Sequence, residues 1–82
     1  MSRLEIAAEV VAQCHKNRMK HGGSEHDDTH TGNDWIAFIT KHAGRAVLSK
    51  WDIAVYRGHM IKAAAAAFAA IEWCDRQTGV SE

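Results

Sequence analysis

Glu25-His26-Asp27-Asp28-Thr29-His30 is the densest run of chemistry-bearing side chains in the sequence, with carboxylates and imidazoles at five of its six positions. Adjacent carboxylates such as Asp27 and Asp28 repel one another unless a cation, a basic side chain or water screens them, and hard divalent cations prefer oxygen ligands. The run therefore has two readings. It can hold Mg²⁺ or Mn²⁺, or it can be a solvated loop whose Asp and Thr residues cap the following helix. Glu72-x-x-Asp75 is a second acidic pair, and at i, i+3 on a helix its two carboxylates share a face and can grip one cation or simply face solvent. Glu5 and Glu9, four apart, are expected to add a third pair facing the interior.

Lys16, Arg18 and Lys20 stand directly before the acidic run, so that phosphate-binding cations lie beside a possible metal site. Lys62 and Arg57 are further candidates to neutralise phosphate oxygens. Trp35 is the aromatic candidate for contact with a base, although core or subunit packing is the other reading of Trp35, Trp51 and Trp73. The six histidines include His15, His21, His42 and His59, which stand singly among polar or basic neighbours and suggest no ligand set. Cys14 and Cys74 are too far apart in sequence for a Cys-x-x-Cys site; Cys14 reads as a small buried hydrophobe. Zinc through His26 and His30 lacks an obvious complete ligand set.

The elements that must position these residues are helices. Proline is absent, and alanine, leucine, isoleucine and charged residues fill long stretches without period-2 alternation. Ser2 and Glu5 form a capping-box pattern that opens a first helix from Arg3 to Lys20, with Leu4, Ala7, Ala8, Val11 and Cys14 as its apolar stripe and Gly22 and Gly23 as its stop. Residues 22–33 form a polar His/Asp loop. A second helix, capped by Asn33 or Asp34 and carrying the stripe Trp35, Ile36, Ile39, Ala43, Ala46 and Val47, ends near Leu48. A third, introduced by Ser49 and Asp52, runs from Lys50 to Gln77 with Gly79 as its stop and Gly58 as a potential kink. The alanine tract of Ala63 to Ala67, Ala69 and Ala70 lets another helix approach its backbone closely. The fold expected is all-α, a single domain over residues 1–82 built as a bundle of about three helices.

Length and charge limit the function classes. Eighty-two residues give one modest core, which favours completion by a second copy. Ten Lys and Arg balance ten Asp and Glu, so there is no broad electrostatic case for duplex nucleic acid or an anionic membrane. The longest apolar stretch, Ala63 to Ile71, is far short of the roughly 20 residues that span a bilayer, and residues 1–13 lack the apolar run of a signal peptide, so a cytoplasmic protein is expected.

Taken together, Glu9 and Gln13, then Gly22, His26-Asp27-Asp28-x-His30 and Gly32, and finally Tyr56-Arg57, Ile61-Lys62-Ala63-Ala64 and Ala69-Ala70-Ile71-Glu72 resemble small phage-type proteins related to the MazG-like, all-α nucleotide pyrophosphohydrolases. The resemblance implies Mg²⁺ (or Mn²⁺) held by acids on neighbouring helices, release of pyrophosphate from a nucleoside triphosphate, and assembly as a homodimer or tetramer. Carried onto this sequence, it implies His26, Asp27, Asp28, His30, Glu72 and Asp75 as metal ligands and Glu9 and Asp28 as catalytic acids. Trp35, Arg57 and Lys62 would then bind substrate. The contrasting expectation is a catalytically silent phage accessory bundle that binds a host protein.

Overall fold

The computed structural model describes residues 2–78, and among them four helices and no strand. Helix α1 spans Arg3–His21, a single turn α2 spans Ser24–Asp27, α3 spans Gly32–Val47 and α4 spans Ile53–Thr78. The chain is all-α, as its composition implies. It has one more element than expected, because the loop after α1 closes a helical turn through the Asp27 amide donating to the Gly23 carbonyl at 3.1 Å.

Each boundary follows from local chemistry. Ser2 and Glu5 form the reciprocal capping box that opens α1. Gly22 ends it at φ 106°, donating its amide to the Arg18 carbonyl; a Cβ there would stand 2.9 Å from the Cβ of His26, so the turn toward α2 needs glycine. Thr31, not Asn33 or Asp34, is the N-cap of α3, and Asp34 reaches back to the Thr31 amide at 2.9 Å as the other half of a second box. Asp52, rather than Ser49, accepts from the Val55 amide at the head of α4, while the Ser49 hydroxyl donates to the Ala46 carbonyl. Helix α4 runs unbroken through Gly58. Gly79, expected to close it, lies outside the described residues.

Helix α4 is the common support. The short 48–52 connection returns the chain antiparallel to α3, while α1 runs parallel to α4, since Glu9 meets Arg57, Cys14 meets Ala65 and Arg18 meets Glu72. The alanines make the close approach possible: Ala63, Ala65 and Ala66 are buried, with Ala65 only 1% exposed, and Ala46 of α3 is buried as well. Three alanines of the tract thus pack within the chain.

The rest of the core is Cys14 and Trp35; among the described residues no Leu, Ile, Val or Met is buried. The expected stripe on α1 faces mostly outward, with Leu4 83% exposed, and the residues turned toward the neighbours are Glu9, Val10, Gln13, Cys14, Asn17 and Arg18. Helix α1 is therefore held largely by polar clasps: Glu9 to Arg57 at 2.6 Å, Arg18 to Glu72 at 2.9 Å, and the Cys14 thiol to the Ala65 carbonyl at 3.6 Å. Burial raises the Cys14 pKa, and the Glu72 and Asp27 charges add to it against Arg18, which keeps the thiol protonated as a donor.

The molecule measures 41 × 27 × 21 Å, with a radius of gyration of 13.4 Å. A compact chain of this length would have about 12 Å. The excess is the long α4, about 39 Å at 1.5 Å per residue, and the gap left between the two helices lying on it. Ala65→Leu tests the close approach: extra methylenes against the α1 and α3 backbones should cost about 1–3 kcal/mol in urea denaturation, and a neutral result would show that the helices do not meet there.

Candidate functional site

Between α1 and α3 lies a cleft of about 530 Å³ with the alanine face of α4, Ala65, Ala66 and Ala69, as its floor. Its size suits a small-molecule ligand. Helix α1 supplies Lys16, Arg18 and Lys20 to the lining, α3 supplies Lys41 and Arg45, and α4 supplies Lys62, whereas Asp27 is the one carboxylate among the lining residues. Six of the ten Lys and Arg of an electrically neutral chain therefore line one concavity. Low-dielectric walls focus such a field, and its natural counterpart is an anion with several negative oxygens. Among the described residues Arg18 alone of the six forms an ion pair, with Glu72.

Aromatic rings close the end of the cleft nearest α2. His30 is the hub: its ring stands edge-on to His26 at 5.0 Å, to Phe38 at 5.1 Å and to Trp35 at 5.3 Å, and Trp35 meets Phe38 at 5.9 Å. Lys41 places its ammonium 5.9 Å from the Phe38 centroid. His30 Nδ1 also lies 3.9 Å from Asp34, so the loop is fastened to the first turn of α3. Trp35 is 5% exposed, and its indole N–H is buried without an acceptor. A buried donor left unmatched costs on the order of 1–3 kcal/mol.

The residues expected from sequence divide into two groups. His26, Asp27, His30, Trp35 and Lys62 line the cleft. Glu9, Asp28, Arg57, Glu72 and Asp75 do not, and three of these acids are matched by arginines: Glu9 with Arg57, Asp28 with Arg76 at 2.9 Å and Glu72 with Arg18. Asp75 is half-buried near the end of α4, where its carbonyl accepts from Thr78. Glu5 is exposed and serves the α1 cap instead of pairing with Glu9 toward the interior. Among the described residues no three His, Cys, Asp or Glu side chains come together as a group that can hold a metal ion. Of the acids that a Mg²⁺ cage would draw on, Glu9, Asp28 and Glu72 are each compensated by a guanidinium, while Asp27 lines the cleft and Asp75 stands near the end of α4.

Phe38, Lys41 and Arg45 are the site residues that sequence reasoning missed, and His42, which suggests no ligand set in the sequence, lines the cleft with them. The signal was present: Trp35, Phe38, His42 and Arg45 recur at spacings of three, four and three, which is one face of a helix, and α3 turns that face toward the cleft. Comparisons with protein-family models, with curated proteins and with solved structures find no match. No helix among the described residues is long and apolar enough to cross a membrane.

Burial lowers the His42 pKa, and Lys41 and Arg45 on its own helix together with Lys62 and His59 of α4 lower it further. Above about pH 6.5 the folded and unfolded chains both carry a neutral imidazole at this position. Below that, the unfolded chain takes up a proton that the folded chain resists, so the stability associated with neutral His42 is present above pH 6.5 and lost as pH falls toward the lowered value. The expected outcome is a steeper loss of urea stability between pH 6.5 and 5 in the native chain than in His42→Gln. Parallel profiles would show that the cations do not act on this ring.

Proposed function

We propose that this chain binds a nucleoside polyphosphate in the α1–α3 cleft, the phosphates among Lys16, Lys20, Lys41, Arg45 and Lys62 and the base at the aromatic end formed by Trp35, Phe38 and His30. The observation that carries the reading is the gathering of six cationic side chains around a cleft of about 530 Å³ in a chain of zero formal charge. Charge-assisted hydrogen bonds from lysine and arginine supply affinity for phosphate oxygens. A π-face gives sequence-tolerant contact with any base. Hydrolysis of the bound nucleotide to its monophosphate and pyrophosphate is the activity that the resemblance to MazG-like proteins adds to this reading.

In this arrangement the chain's own cations neutralise the phosphates, since Asp28, Glu72 and Glu9 are matched by arginines. The affinity should therefore follow phosphate charge and survive removal of divalent metal. Titration calorimetry should show dATP binding at least ten-fold more tightly than dAMP, with deoxyadenosine silent, and binding should persist in excess chelator and weaken as salt is raised. Lys41→Gln with Lys62→Gln should weaken dATP at least ten-fold, since each charged hydrogen bond contributes about 1.5–3 kcal/mol. Equal binding of nucleoside and triphosphate, or a double variant with unchanged affinity, would overturn the cleft as a phosphate site. Pyrophosphate release measured with Mg²⁺ tests turnover separately, and its absence would leave binding as the function.

A second reading, a bundle that acts by binding another protein, is favoured by a different observation: Trp51 is 93% exposed at the tip of the α3–α4 connection.

A further inference from the structure

Four imidazoles line the cleft, those of His21, His26, His30 and His42. His26 and His30 belong to the ring cluster at the α2 end, where Asp34 also reaches His30. His42 has other neighbours, and they are of one sign. From its own helix Lys41 and Arg45 act on the ring, and from α4 Lys62 and His59 do so. Across the cleft α1 presents Lys16, Arg18, Lys20 and His21, and α2 presents His26 and Asp27. Asp27 is the one carboxylate among the lining residues, and among the described residues Arg18 is the one lining cation matched by an acid, Glu72.

Two features of its position keep the His42 ring neutral in the free chain. A proton there would add a positive charge beside others of the same sign. The Nδ1 atom is also buried without a hydrogen-bond partner, so a proton on it would be a buried donor with no acceptor. Burial and the surrounding cations accordingly lower the His42 pKa from the usual imidazole value. With Nδ1 enclosed, Nε2 is the ring atom left to meet a guest in the cleft.

A guest with several negative oxygens reverses the field and leaves the enclosure of Nδ1 as it was. What differs between the empty and the filled cleft is therefore charge. That charge favours imidazolium, whose Nε2–H can give a charge-assisted hydrogen bond to a phosphate oxygen. We propose that His42 is a proton-coupled contact of this cleft: a polyphosphate settling among Lys41, Arg45 and Lys62 draws a proton onto the ring, and binding tightens as pH falls from about 8 to about 6. The coupling rests on the nucleotide reading for its ligand and adds the regulation of that site.

The direction follows from linkage. The free chain resists protonation of His42 until the pH lies below the usual imidazole value, whereas the filled cleft accepts the proton at a higher pH. Between the two values binding takes up a proton, so affinity rises about ten-fold for each unit that separates them.

Titration calorimetry with dATP on the native chain and on His42→Gln, at about pH 8 and about pH 6, tests this, with circular dichroism as the check on folding. The terminal phosphate of dATP also gains a proton over this range, but equally for both proteins, so the ratio of their affinities isolates His42. That ratio should move by about five-fold or more in favour of the native chain between the higher and the lower pH. NMR titration reads the native chain directly: the His42 ring proton, assigned by its loss in His42→Gln, should titrate about one unit or more higher with saturating dATP than without it. An unmoved ratio, or a midpoint that is the same with and without dATP, overturns the coupling and leaves the nucleotide site standing. Failure of dATP to bind at either pH overturns the nucleotide reading itself, and the coupling with it.

Discussion

Alanine at 63, 65 and 66 removes the bulk that would keep helices apart, so α1 and α3 can both settle on one side of α4. Larger residues there would hold the neighbours farther off and fill the space between them. Small side chains instead make a flat floor, and two helices resting on a flat floor leave a trough between their walls. The cleft, the inward direction of Lys62 and the meeting of cations from three helices all depend on that contact. The same choice limits stability, because methyl groups bury little area per residue.

Charge is sorted to match. The chain is neutral in sum, yet its acids and bases are not mixed evenly. Glu9, Asp28 and Glu72 face arginines along the junction of α4 with the N-terminal half, where they act as fasteners. Lysines and Arg45 are left to line the trough. Exposed ion pairs contribute only about 0–1 kcal/mol each, so this arrangement secures register and orientation more than stability.

How much of this could be read beforehand differs by level. Helicity, the cap at Ser2, the stop at Gly22 and the special role of the alanine tract follow from propensity and spacing, because they depend on residues within one or two turns of each other. The inward face of α1 did not, because the usual rule assigns the buried side to Leu4 and Val11, whereas the structure turns Gln13, Asn17 and Arg18 that way. A polar inward face makes sense only once a cleft is known to lie there. The acidic run and the acidic pairs carry no sign in sequence of the arginines that match them, because Arg18, Arg57 and Arg76 lie 48 to 54 residues from their partners. The α3 cap stands at Thr31, two or three residues before Asn33 and Asp34, because Thr31 and Asp34 form the box together.

The polar attachment of α1 has a further consequence. One wall of the trough is its least firmly held helix, tied by ion pairs and a thiol hydrogen bond, while the opposite wall is covalently close to the floor through a five-residue turn. A multivalent anion lying between Lys16 and Lys20 on one side and Lys41 and Arg45 on the other would act as the missing crosslink between walls that otherwise repel each other. In the proposed binding mode occupancy and closure would be a single equilibrium, the guest supplying cohesion across the seam where α1 meets α4 that the apolar core does not.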